Sequence, residues 1–566
     1  MKRRRVIIAL VIVTGLVLGL VLGRGGWAWR RSLTLLEGSR QTTPETLQFV
    51  PKQSPLVVSL LARPDQLGEL WLGLAKARQR PKIKRELARL EALLLAGTGL
   101  SYQQDLQPWL GEETTLAVVS ADLDQDPDNG LTPGYLVVLT CEDGETARSR
   151  LELFWQNRAI AGTSLTFSDL AGNRLIYASQ PEAGLIPLAT TLVANRFLLV
   201  ANHPEVLRQA LGAAQAVDTN LALDSRYKAT LKTLPSRRIG LVAMHLPGLH
   251  HWLQGEGSPG VRWASALPPS PPDSLVDWGL ISLALDRQGV LADLALTARP
   301  GRPLPAYQGG LGADPAWLGT LPEPLPVVAV GHDLARLGPS LQPLVDLMPV
   351  AWRSSLSLPQ EVDRRFGDGA MAAIQTGASQ DYGLGLNLAG PTNALDWLVL
   401  SRPSPAWDQA LETLNQLGQA QGLGVSALAI QQQLVRAWSR LLVQPQGQNL
   451  EVTAAVAGLQ ANLADQLQVL SGSAQILNQV LSRQAESAPA PPTWWAERDR
   501  FTSPVAAYLH VDWLRLQGTL PSSPRLDLIK TVTDPLLGHL QTITLASYGQ
   551  SDRLQRSALF LRLHNR

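Results

Sequence analysis

The first pattern along the chain is a block rather than an alternation. Met1-Lys2-Arg3-Arg4-Arg5 leads into Val6 to Gly23, a run without a charge in which Val, Leu and Ile dominate. Fully helical at about 1.5 Å per residue, the run spans about 27 Å, close to a hydrocarbon core of about 30 Å. Residues 6–23 are therefore expected to contact the lipid bilayer as a single transmembrane anchor, with the basic tail 1–5 in the cytoplasm. The bulk of the chain is then expected on the non-cytoplasmic side of the membrane. Trp27 and Trp29 fall where an aromatic belt belongs, and Arg24, Arg30 and Arg31 can reach headgroups. A cleaved signal peptide is the alternative. Its apolar core is ordinarily about 7–15 residues long and ends at a small-x-small site. Here the run is longer, and its exit, Arg24-Gly25-Gly26-Trp27, has no such site.

After a linker over 24–47 the pattern changes to short apolar stretches whose order occurs twice. Pro55-Leu-Val-Val-Ser59 is echoed by Pro326-Val-Val-Ala-Val330, and Gly134-Tyr-Leu-Val-Val138 by Asp396-Trp-Leu-Val-Leu400. Strand, turn and helix start at Val200–Leu211 recur at Leu470–Leu481, and Gly240–Leu249 with His245 parallels Val505–Leu514 with His510. Each copy closes on two alternating stretches, Leu280–Leu285 with Leu291–Thr297 and Thr542–Ala546 with Arg556–Leu563. Alternation of apolar and polar residues suits strands with one wet face, and the tight turn Asp286-Arg-Gln-Gly289 favours antiparallel pairing. The expected fold class is α+β: the transmembrane helix, then two similar halves at 48–300 and 326–566, each an antiparallel sheet packed on helices. The Pro/Gly-rich stretch 301–325 is expected to link them on the surface.

Composition narrows the function. Hydrophobic residues make up 45% and charged residues 17%, which describes a packed globular chain. A net charge of +2 supplies no field for nucleic acid. The single cysteine, Cys141, permits no internal disulfide and no cysteine-based metal centre. Its acidic neighbours Glu142 and Asp143 oppose a thiolate. The 16 Trp residues against 7 Phe and 8 Tyr fit either core packing or an interface.

Candidate chemistry is thin. Asp122, Asp124, Asp126 and Asp128 alternate like calcium ligands, yet neither register places the required Gly and Glu, so a hairpin loop turning at Asn129-Gly130 is expected. His245, His250 and His251 lie on no common face, and Pro247 interrupts them. Glu112, Glu113 and Asp105 read as charged neighbours of Trp109. No nucleophile elbow, phosphate loop or dinucleotide fingerprint is present. The sequence thus nominates no catalytic, cofactor-binding or metal-ligating residue and no cofactor, and no enzyme is expected. One basic stretch, Lys76, Arg78, Arg80, Lys82, Lys84 and Arg85, could face water or rest on anionic headgroups beside the membrane.

At Gly99-Leu-Ser-Tyr-Gln-Gln-Asp105-Leu-Gln-Pro-Trp-Leu-Gly111-Glu, Pro133-Gly-Tyr135, Phe154-Trp155-Gln and Phe197-Leu-Leu-Val-Ala-Asn-His-Pro204, the chain resembles a cyanobacterial family of uncharacterised membrane-anchored proteins, a domain of unknown function. The resemblance runs over nearly the whole region beyond the anchor. It implies a photosynthetic bacterial source and so a periplasmic or thylakoid-lumenal location for the bulk, and no activity or site residue comes with it. The expectation is a membrane-tethered, non-enzymatic protein that binds an unknown protein partner or assists an assembly. The alternative is a carrier for a lipid or other hydrophobic ligand.

Overall fold

The computed structural model describes residues 34–39, 43–74, 98–126, 131–178, 188–216, 218–254, 275–307, 310–311, 315–345, 357–387, 395–446, 449–464, 466–486, 490–502, 504–518 and 540–563, with single positions between 75 and 97. The expected anchor at 6–23, its flanking Trp27 and Trp29, and Lys76 and Lys82 lie outside the described residues.

Local sequence sets the element starts. Asp143 caps the helix Gly144–Ile160 by accepting the backbone N–H groups of Glu145 and Thr146. His203 caps Pro204–Gln215 and Ser404 caps Pro405–Ala420, each followed by proline in the first turn, where a missing N–H costs nothing. Among the described residues, the strands before residue 300 are β1 (Leu56–Leu60), β2 (Leu110–Ser120), β3 (Gly134–Cys141), β4 (Leu165–Leu170), β5 (Asn173–Ala178), β6 (Ala189–Val193), β7 (Phe197–Ala201), β8 (Gly240–His245), β9 (Val276–Asp286) and β10 (Gly289–Ala298). Those after it are β11 (Val327–His332), β12 (Asp381–Asn387), β13 (Asp396–Ser401), β14 (Gly424–Ile430), β15 (Gln433–Gln446), β16 (Asn449–Leu463), β17 (Leu467–Ser471), β18 (Ala507–Asp512), β19 (Leu540–Gln550) and β20 (Leu554–Leu563).

The first set pairs in the spatial order β4-β5-β6-β7-β3-β2-β1-β8-β9-β10, antiparallel throughout. The second pairs as β14-β15-β16-β17-β13-β12-β11-β18-β19-β20, also antiparallel. β10 then pairs with β20 from Gly289↔Arg562 to Thr297↔Leu554. All twenty strands consequently belong to one sheet, with β4 and β14 at its ends.

This corrects the expected fold class. Two halves, each with its own sheet, are replaced by one continuous 20-stranded antiparallel sheet. No helix among the described residues is long and apolar enough to cross a membrane. The physical reason for the single sheet lies in β10 and β20. Each is the last strand of its set, and an unpaired last strand presents a row of open N–H and C=O groups. Joining them satisfies both rows and removes two edges.

Helices cover both faces. Directly paired residues in antiparallel strands share a face. One such register row runs Thr115-Ser59-Leu241-Ser282-Asp293-Ala558-Ala546-Tyr508-Val330, crossing the junction without a break. On this face the helix Pro204–Gln215 packs Val206, Leu207 and Leu211 over the first set, and Ala474–Gln484 packs Ile476, Leu477 and Val480 over the second. The opposite face of the second set is closed by Phe366, Ile374, Trp407 and Leu414, from three helices within 358–420. Trp109, Trp397, Trp407 and Trp438 are fully buried or nearly so, so much of the tryptophan serves packing. The Pro/Gly-rich linker also departs from expectation. Trp317, Leu318, Leu321 and Leu325 are core residues, because apolar side chains between the prolines drive that segment inward.

Phe560 lies at the junction, fully buried and directly opposite Leu291 of β10. Phe560→Ala should cost roughly 3–5 kcal/mol. Because one sheet spans both sets, urea unfolding should remain a single transition at lower midpoint by every probe. Separate transitions for probes on β1–β9 and on β11–β19 would contradict the continuous sheet.

Candidate functional site

A buried polar cluster sits at the β18–β19–β20 end of the sheet. His510 pairs with Thr544, Asp512 with Thr542, and Thr542 with Arg562, so alternation on three neighbouring strands places these side chains together. The segment Thr493–Arg500, a run of 3-10 turns, lies over them. Both the backbone N–H and the hydroxyl of Thr493 donate to Glu323 Oε1, at 3.0 and 3.1 Å. Trp494 stacks on the His510 ring, with centroids 5.1 Å apart and planes 12° from parallel.

Glu497 descends from this segment and is 2% exposed. Its carboxylate accepts the Thr544 hydroxyl, the Thr542 hydroxyl at 3.1 Å and Arg562 Nη1 at 3.3 Å. His510 Nδ1 is 2.8 Å from Thr544 Oγ1. The Thr544 proton points at Glu497, so Thr544 Oγ1 accepts from His510 and Nδ1 carries the imidazole proton. Nε2 then keeps its lone pair, and nothing among the described residues hydrogen-bonds it. A cavity of about 390 Å³ opens here, lined by His510, Glu497, Asp512, Arg515 and Arg562 and rimmed by prolines. Burial, reinforced by the Arg562 charge, pushes the His510 pKa down to about 4, so the ring is neutral near pH 7. This arrangement can accept a hydrogen bond or a proton at Nε2. The hydroxyls of Thr542 and Thr544 both donate to Glu497.

Sequence reading did not find this cluster. It placed His510 level with His245, but the hydrogen bonds say otherwise. His245 N–H donates to the Pro55 carbonyl and Asp512 N–H to that of Pro326, so Asp512 holds the place of His245. Ala243, opposite Val57, holds that of His510, opposite Val328. His245 itself accepts the Gly248 N–H at the start of its helix. The Trp494 and Glu497 side chains come from a segment with no periodicity, and only the run of Trp and charges at 494–500 marked it.

Several of the other singled-out residues have structural partners. Asp122 and Asp124 both accept the Thr132 hydroxyl, at 2.9 and 2.8 Å, closing the loop across its base. No group of three potential metal ligands is found among the described residues. Glu113 is buried and accepts the N–H groups of Glu45 and Thr46 at 2.9 and 2.7 Å, tying residues 45–46 to β2. Asp105 accepts the Ser101 N–H at 2.8 Å. Cys141 ends β3, and its thiol is pushed up to about 12, by burial first and then by the Asp143 charge. Of the basic stretch, Arg78, Arg80, Lys84 and Arg85 are exposed.

A second feature is the far edge. β14 hydrogen-bonds to β15 along one side, and no strand among the described residues pairs with its other side. Gly424 to Ala429 are all exposed, Val425 at 42% and Leu428 at 44%. On β15, Leu434 is 76% and Leu441 71% exposed.

His510 gives this region a pH signature. Its pKa falls from 6.5 to about 4 on folding, so as pH drops the unfolded chain takes the proton first. The stabilisation is present above about 6.5 and lost as pH falls to about 4, amounting to about 3 kcal/mol. Urea unfolding at pH 7 and pH 4 should therefore show the native protein losing more stability than a His510→Gln variant, by that order. Equal losses would remove this account of the ring.

No curated protein matches the sequence. Among solved structures, crystal form I of TP0453 is similar over 45% of this chain and 79% of that one, at 9% identity and a TM-score of 0.24. Crystal form IV of TP0453 gives 44% and 79% coverage, 10% identity and a TM-score of 0.25. Similarity that low carries no argument about fold or function. A family model described as "Protein of unknown function (DUF3352)" matches residues 10–563. The match speaks to neither a cyanobacterial source nor an anchor. It spans almost the whole length, and the chain belongs to the DUF3352 family.

Proposed function

We propose that this protein is a non-enzymatic binding protein held at a membrane surface outside the cytoplasm, and that its partner adds an extended strand to the open edge of β14. The observation that carries this reading is the state of that edge. Natural sheets blunt terminal strands with charge, proline or a bulge. At the other end, β4 carries Asp169, which lies opposite Arg174 of β5. β14, Gly-Val-Ser-Ala-Leu-Ala-Ile, has no charge and no proline and is exposed on both faces. An incoming strand would gain backbone hydrogen bonds from the edge, and specificity from its side chains beside Val425 on one face and Leu428 on the other. The partner segment this chemistry fits is extended and uncharged, with small and apolar residues on both faces.

Support for the membrane location comes from the sequence of residues 1–23, basic and then uncharged. If that placement holds, residues 34–566 should be digested by protease outside intact spheroplasts or, for a lumenal bulk, stay protected within sealed thylakoids after lysis; digestion that needs only spheroplast lysis would place the bulk in the cytoplasm.

A photo-crosslinking residue at Leu428, in the full chain in its native cells, tests the edge. The expected product is a crosslink that maps to an extended segment of one partner and disappears when Val425→Lys is added. Crosslinks that persist with Val425→Lys, or a pattern identical to that from exposed Leu153 on the helix Gly144–Ile160, would contradict it.

A further inference from the structure

The open edge of β14 specifies its own complement. Residues 424–430 read Gly-Val-Ser-Ala-Leu-Ala-Ile, and alternation puts Val425, Ala427 and Ala429 on one face and Gly424, Ser426, Leu428 and Ile430 on the other. Two copies of one strand lying antiparallel side by side are related by a two-fold axis perpendicular to the sheet, and one residue faces its own copy across that axis. With Ala427 in that place all seven residues pair, more than any other centre allows. The opposed pairs are then Gly424 with Ile430, Val425 with Ala429 and Ser426 with Leu428, so each larger side chain lies beside a smaller one.

Charge and cover permit this pairing. β14 carries no charge, and Gly424 to Ala429 are all exposed. The cation in register with the axis is Arg436 of β15, opposite Ala427 and exposed. In the paired sheet the two Arg436 residues stand three strand spacings apart, about 14 Å. That exceeds a screening length of about 8 Å at physiological ionic strength. A second copy also has an advantage over an unfolded segment. Its β14 is already held extended by the ladder to β15, from Gly424↔Ser439 to Ile430↔Gln433, so little chain entropy is lost in adding the strand. Contact of like with like closes at two copies and satisfies both open edges, whereas β14 against β4 would leave a free edge at each end.

We infer that the strand received by β14 is β14 of a second copy of this chain, giving a symmetric dimer in which the two sheets run on as one. The inference rests on the strand-addition reading above and names its occupant.

Cysteine crosslinking of the full chain, oxidised with copper phenanthroline and followed by non-reducing electrophoresis, tests it. Ala427→Cys places two thiols at the axis, where Cα atoms of an antiparallel pair are about 4.5–5.5 Å apart. A disulfide spans about 4.4–6.8 Å. Val425→Cys alone leaves its two thiols four residues apart along the strand, about 14 Å, and so does Ala429→Cys alone. All three positions are exposed, so the variants should keep the native unfolding midpoint. The native chain, with its free Cys141, sets the background. The expected result is a covalent dimer from Ala427→Cys at least about tenfold faster than from either off-axis variant alone, with co-expression of those two restoring rapid crosslinking. Equal rates from Ala427→Cys and Val425→Cys, or no dimer from Ala427→Cys above the background, overturn the second copy as occupant. Strand addition itself survives that outcome if the Leu428 photo-crosslink still maps to an extended segment of another protein and is still lost with Val425→Lys. Loss of that crosslink as well takes both readings down.

Discussion

The pairing of β10 with β20 is the constraint on which the rest of the structure depends. These strands are separated by most of the second half of the chain, so their ladder closes a very long loop and fixes the position of everything between. It also decides where the sheet ends. With the inner edges joined, the only terminal strands among the described residues are β4 and β14, and only β4 carries a charged residue. The ladder leaves the two outer edges as they are, so the open edge of β14 is one of the two places among the described residues where the sheet can still add a strand.

The covered face shows what such a junction costs. Asp293 lies midway along β10, 4% exposed, between Ser282 and Ala558 in the register row. Burial pushes its carboxyl up to about 6, against the pull of Arg556 and Arg238. A raised carboxylate is the mirror of a lowered histidine. Protonation of Asp293 stabilises the fold below about pH 6 and that stabilisation is lost as pH rises, whereas the His510 contribution is lost as pH falls. Two buried groups on one sheet face thus act in opposite directions across the same window.

Much of the local structure was legible. The alternation at Leu280–Leu285 and Leu291–Thr297 and the turn between them are β9, β10 and their hairpin, and the helix starts within Val200–Leu211 and Leu470–Leu481 are those of Pro204–Gln215 and Ala474–Gln484. What escaped was partnership at long range. Nothing in Leu-Ala-Asp-Leu-Ala, residues 291–295, says that its outer side meets Leu559 rather than water, because an alternating strand looks the same at an edge and in the interior. The His510 cluster escaped for a related reason. Its members are scattered over 497–562, and alternation explains each residue singly while only the strand register brings them together. The match of His245 with His510 was a two-residue slip, invisible to pattern because a shift of two keeps the same face. The linker at 301–325 misled because prolines suggest surface, while the apolar residues between them, Trp317 and Leu321 among them, settle its burial.

The most direct test of the continuous sheet is amide hydrogen exchange on β10 and β20 in the full chain. If the two strands form an interior ladder, amides of residues 290–296 and 555–561 that donate across it exchange only through global unfolding, with the same free energy as those of β1 and β11. Exchange on the outer sides of β10 and β20 as rapid as on the exposed strand β14 would mean that each set ends in a free edge, and the single twenty-stranded sheet would have to be given up.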